Sequence, residues 1–290
     1  MKRAVFLMLF IFTLQMISCS KSRSTSENQT KESKKIHYIA VSIPPQKYFL
    51  EQLLDTTKYK IVSFLKEGES PATFSPSPKR IKQIAQSEVY VKIFVPFENA
   101  YWNNIKSINP KIKEIISYPP EKKIGNDPHV WLSPKRVIEM VGIIRDSLVK
   151  FYPEDSILIN NRYKSFLDSL TSLDSIITNK LKPYSKHRFI IFHPNLTYYA
   201  KDYNITQVSI EVMGKSVTPN RLKEIINIAK QDSIHYIIIQ KEFDYKVVEG
   251  ILKDINGKEV VIRPMNPDWK NNMLYITNIL VKIFKNEDIK

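Results

Sequence analysis

The sequence predicts an α/β protein of two lobes, each a largely parallel sheet covered by helices, joined by one long helix. Three observations carry that prediction. Short apolar runs alternate with amphipathic stretches, the pattern of strands feeding crossover helices. The alternation occurs twice, before and after an unbroken helical pattern at 153–181. At 290 residues the chain is long enough for two lobes of ordinary domain size.

In the first half, strands are expected at 38–43, 61–65, 89–95 and 112–117, where apolar and β-branched residues gather. Helices are expected at 46–54, 78–86, 98–108 and 134–151, the last opening on Pro134. Between 153 and 181, Ile157, Leu158, Tyr163, Phe166, Leu167, Leu170, Leu173, Ile176, Ile177 and Leu181 recur mostly three and four apart. At 1.5 Å per residue such a helix is about 43 Å long, enough to bridge two lobes. A coiled-coil dimer is the other reading of this stretch. The second half places strands at 189–192, 205–210, 236–240 and 260–262. Its helices fall at 195–202, 218–231, 245–255 and 271–284, and Thr218-Pro219 supplies an N-cap and a first-turn proline. The expected divisions are therefore 37–152, 153–183 and 184–290.

The first 36 residues read differently. Lys2 and Arg3 precede an apolar run at 4–14, which has the charge and length of a secretory leader and is too short for a permanent membrane span. Cys19 is the only cysteine and follows Met16-Ile17-Ser18, the arrangement of a bacterial lipobox. Residues 1–19 are thus expected to be a lipoprotein signal with Cys19 the acylated residue. The polar stretch 20–36 is expected to be a disordered tether.

Hydrophobic content of 43% is that of an ordinary globular chain. The net charge of +15 is spread over helix-like segments instead of one basic run, and an exported protein does not meet nucleic acid. No His-Glu-x-x-His helix, Gly-x-Ser-x-Gly elbow or phosphate-binding glycine loop is present, so no enzyme class is indicated.

The most informative segment is Asp127-Pro128-His129-Val130-Trp131-Leu132-Ser133-Pro134, which sets an imidazole beside an indole at the mouth of a helix. A second imidazole, His193, ends the apolar run 188–192 and precedes Pro194-Asn195. That is a strand-to-helix turn, where open α/β sheets hold ligands. Together with Gly68-Glu69-Ser70-Pro71-Ala72-Thr73-Phe74-Ser75, these segments resemble the zinc- and manganese-carrying substrate-binding proteins of ABC transporters. The resemblance runs over 39–284. It implies two Rossmann-like lobes on one backbone helix, a metal held between them, a partner permease in the membrane, a monomer, and no catalysis. It places the chain in the periplasm or on the cell surface, held by its lipid anchor.

The resemblance also implies a ligand set. His129 and His193 supply nitrogen, and Glu211, before the Thr218-Pro219 helix start, is the expected third donor. The fourth falls in Met265-Asn266-Pro267-Asp268-Trp269, where Asn266 fits the family's motif and Asp268 fits the chemistry. Such nitrogen and oxygen donors suit Zn2+ or Mn2+. Ala72 departs from the pattern, standing where the family carries histidine, and 121–126 holds none of the histidines common in zinc members. A degenerate site taking another small ligand, or an adhesin on the same scaffold, is therefore the alternative. His37, His187 and His235 are expected to be structural. Trp131, Phe192, Tyr198, Tyr199, Phe243 and Trp269 line either a cleft or the core.

Overall fold

The computed structural model describes residues 35–211, 217–240 and 246–289. The leader, Cys19 and nearly all of the tether lie outside them, as does Phe243. Residues 35–290 group as one compact unit. Among the described residues no helix is long and apolar enough to cross a membrane.

The first lobe runs β1 (His37–Val41), α1 (Pro44–Leu53), β2 (Tyr59–Ser63), α2 (Pro78–Ala85), β3 (Val89–Lys92), α3 (Pro96–Ile108) and β4 (Lys113–Ile116). Its sheet has the order β2-β1-β3-β4 and is parallel throughout, with Ile39 opposite both Ile61 and Val89. After α4 (Pro134–Phe151) and α5 (Ser156–Leu181), the second lobe repeats the plan. It runs β5 (Arg188–Ile191), α6 (Thr197–Asp202), β6 (Thr206–Ser209), α7 (Pro219–Gln231), β7 (Tyr236–Gln240), α8 (Lys246–Ile255), β8 (Lys258–Ile262) and α9 (Trp269–Lys285). Its order is β6-β5-β7-β8, again all parallel. The inner strand β7 is buried at every position, whereas the edge strand β4 is mostly exposed, as burial on both faces of a parallel sheet requires. In each sheet the strand order reverses beside the first strand, so crevices open at the carboxyl ends of β1/β3 and β5/β7.

Several helices open on proline, at Pro44, Pro78, Pro96, Pro134 and Pro219, where the fixed φ is helical and the missing N–H costs nothing. That rule moves two expected helix starts: α1 begins at Pro44 instead of 46 and α3 at Pro96 instead of 98, and β3 stops at Lys92. Phe94 adopts a left-handed φ of 71°, which ends the strand. The Glu98 carboxylate holds this corner, accepting the N–H groups of Ile93 and Phe94 at 2.7 Å each.

The linking helix begins at Ser156, after a 3-10 turn at Pro153–Asp155. It buries Ile159, Phe166, Leu170, Leu173, Ile177 and Leu181, while Ile157, Leu158 and Ile176 of the expected stripe are exposed. Its buried face packs along α4 and also meets α1 of the first lobe and α9 of the second. The apolar face is thus used within the chain, which is the bridging reading of the pattern and not the coiled-coil one. Where the lobes meet on it, the Phe49 ring stands edge-on to Trp269 at 5.0 Å and tilts against Phe166 at 6.4 Å.

Candidate metal centre

Most residues of the segment 127–134 have a structural task. Asp127 Oδ1 accepts the backbone N–H of His129 at 2.8 Å and meets its Nδ1 at 2.7 Å, so one carboxylate fixes both the turn and the ring. Val130–Leu132 forms a buried 3-10 turn. Trp131 donates its indole N–H to the carbonyl of Pro264 at 3.0 Å, and Trp269 donates its own to the carbonyl of Trp131 at 2.7 Å. Ser133 and Arg136 both donate to Asp202 at the end of α6, at 2.6 and 2.8 Å. Tyr198 closes the strap by donating to the carbonyl of Asp127 and accepting the N–H of Ile124. The segment that carries His129 is therefore bolted to the second lobe.

His193 reaches the same place by strand register. Ile191 of β5 pairs with Ser209 of β6, which sets His193 and Glu211 side by side two residues further on. The ring Nδ1 of His193 meets Glu211 Oε2 at 3.0 Å. The imidazoles of His129 and His193 then face each other edge to face, ring centres 5.4 Å apart. Burial, and next the charge of His129, push the His193 pKa below its ordinary value, so this ring is neutral at pH 7 and fit to be a ligand. Burial works to raise the Asp127 carboxyl, but the bond to His129 and the ring's charge outweigh it and hold it below the usual range.

Both rings line a cavity of about 140 Å³ between the lobes. The first lobe adds Glu69, Ala72 and Pro96 to its wall; the second adds Asn195, Gln240 and Met265. This is the crevice at the β5/β7 reversal: His193 follows β5 and Gln240 ends β7. Among the described residues, no three His, Cys, Asp or Glu side chains come close enough together to share an ion.

The other expected donors stand elsewhere. Glu211 lies behind His193, on Nδ1, and does not line the cavity. Asn266 Oδ1 accepts the N–H of Asp268 at 2.9 Å, closing a local turn, and Asp268 Oδ2 accepts from Asn271 at 2.9 Å in the first turn of α9. Met265 faces the cavity in their place. Of the aromatic candidates, Trp131, Tyr198, Tyr199 and Trp269 are fully buried in the core, and Phe192 is nearly so. His37 sits on Glu88 and stacks on Tyr59, His187 packs against Tyr184 and Phe284, and His235 meets the Ile255 carbonyl, all away from the cavity. Sequence reasoning missed Asp127 as a partner of His129. Its signal was a carboxylate two residues before an imidazole, the spacing of a local side-chain turn.

The chain matches the family model described as the periplasmic zinc-uptake complex component A, over residues 39–283. The zinc-binding lipoprotein AdcA of Streptococcus pneumoniae is 24% identical over 287 residues, covering 91% of this chain and 56% of that one. The chain thus spans about half the length of that relative. A Chlamydia trachomatis protein described as metal-binding is 25% identical over 287 residues, covering 97% of this chain and all of the other. Among solved structures, ZnuA is 28% identical with a TM-score of 0.82, covering 86% of this chain and 100% of its own. The periplasmic zinc-binding protein TroA of Treponema pallidum shares the fold at 12% identity, with a TM-score of 0.76 over 86% of this chain and 99% of its own. With the two-lobe fold, the long helix and a match over most of the body, the chain belongs to the ZnuA family, that of the periplasmic zinc-uptake complex component A.

Proposed function

We propose that this chain captures a divalent transition metal, zinc or manganese, outside the cytoplasm and delivers it to an ABC permease. The observation that carries this reading is the pair of imidazoles in one cavity, each backed on Nδ1 by a carboxylate. Ligating histidines are held this way: the far N–H donates to a carboxylate, which fixes the tautomer and raises the basicity of the other nitrogen. In this reading His129 and His193 bind through Nε2, while Asp127 and Glu211 orient them. The dependence on a pair of imidazole nitrogens favours zinc over manganese, which prefers oxygen donors.

The Trp131 and Asp202 contacts give capture and release a particular form. They put both imidazoles on one frame, so a shift between the lobes moves Glu69 and Ala72 against a fixed pair of rings. Lipid anchoring through Cys19, a monomeric state and the permease partnership belong to the same proposal.

Elemental analysis and calorimetry of the purified chain after chelation test it. One bound zinc or manganese per chain is expected, lost in both His129→Ala and His193→Ala. Binding indifferent to both substitutions, or no binding at all, would overturn the reading.

A further inference from the structure

Two buried acceptors in the cavity wall have no part in the imidazole pair. Asn195 is 1% exposed and Gln240 is fully buried, and both line the cavity. Asn195 Oδ1 and Gln240 Oε1 have no hydrogen-bond partner among the described residues. The orientation of the Gln240 amide is set by its Nε2, which donates to the His193 carbonyl at 3.3 Å. A buried acceptor left without a donor is costly, so two of them in one wall point to a ligand that donates hydrogen bonds.

The cavity is also larger than a bare ion needs. Its volume of about 140 Å³ is close to that of an apolar protein cavity that holds benzene, ~150 Å³. Pro71, Pro96, Pro264 and Met265 make much of its wall apolar. Two imidazoles and, from the first lobe, the Glu69 carboxylate face it, but no three such donors come together on one ion among the described residues, whereas zinc takes about four ligands and manganese about six.

We propose that the cavity takes the metal as a complex with a small amino-acid-type chelator, whose amine N–H groups donate to Asn195 Oδ1 and Gln240 Oε1. The chelator's amine and carboxylate fill the two positions that the imidazoles leave on a four-coordinate ion. Its remaining atoms lie against the prolines and Met265. The inference rests on the metal-capture reading and adds the chemical form in which the metal arrives.

The test uses the full chain stripped of metal, with Zn2+ alone, L-histidine alone, and a one-to-one mixture of the two. Native mass spectrometry is expected to show a mass increment of ion plus histidine. Calorimetry is expected to show binding of the mixture at least about tenfold tighter than its free zinc alone accounts for, a difference of ~1.4 kcal/mol. Asn195→Leu and Gln240→Leu should lower that preference by a similar factor. Where a variant fails to fold by circular dichroism, the increment on the unaltered chain decides. If the ion alone is retained, and histidine weakens binding only as a competitor in solution, the chelator proposal is overturned and the metal-capture reading stands. If neither zinc nor the mixture binds, both are overturned.

Discussion

The imidazoles of His129 and His193 meet edge to face with ring centres 5.4 Å apart, although 64 residues separate them in the chain. Each is held from behind by a carboxylate, Asp127 at 2.7 Å and Glu211 at 3.0 Å. The two supports arise differently. Asp127 acts through a local turn, Glu211 through the register of two neighbouring parallel strands.

Removing charge behind the rings should weaken the metal without removing a ligand. Asp127→Asn and Glu211→Gln are each expected to lower metal affinity by about 10–100-fold. Competition with a chromophoric chelator measures this directly. An effect as large as that of His129→Ala would instead make the carboxylate a direct donor.

Ala72 lines the cavity on the first-lobe side, at the position where the resemblance expects histidine. Ala72→His should add a third imidazole and tighten zinc by at least about tenfold, or ~1.4 kcal/mol. Cobalt substitution gives a second readout, since its visible spectrum reports the added nitrogen. An unchanged affinity and spectrum would show that loop 68–75 does not reach the ion.

The bolt between α4 and α6 makes a stability prediction. Asp202 has a side chain only 7% exposed and is neutralised by Arg136, with Ser133 donating as well. Arg136→Ala leaves that carboxylate buried without its cation and should cost about 3–5 kcal/mol. Adding Asp202→Asn should recover part of the loss, because the stranded charge is then gone. Urea unfolding of the three variants closes the cycle; additive losses would mean that the pair does not couple.

Glu98 sets a pH dependence. Burial pushes its carboxyl up to about 7, against the N–H donors of Ile93 and Phe94 and the Ser42 hydroxyl. The folded chain therefore keeps a proton that the unfolded chain loses near 4.5. Stability from this group is present below about pH 4.5 and is lost as pH rises through about 7. His193 works with the opposite sign. Its folded pKa is depressed, first by burial and then by the charge of His129, so its contribution disappears as pH falls below about 6.5. Urea midpoints of the metal-free His193→Ala chain isolate Glu98 and should fall between pH 5 and pH 8. A midpoint that rises over that range would contradict the assignment.

Much of this protein is written in contiguous residues. The strand–helix alternation, the first-turn prolines and the spacing at 153–181 give the two lobes and their bridging helix, because periodicity and caps are local properties. The segment 127–134 likewise announces His129, since its turn, its indole anchor and its helix start are consecutive. What the tertiary structure decides is which atoms face the cavity. Strand register puts Glu211 behind His193 instead of in front of it. A local turn spends the side chain of Asn266, helix α9 takes that of Asp268, and Met265 lines the wall in their place. Asn195 and Gln240, unremarkable in the sequence, become orphaned acceptors only because the ends of β5 and β7 are brought together. Residue type fixes what a side chain can bind; the closure of distant segments onto one another fixes which way it points.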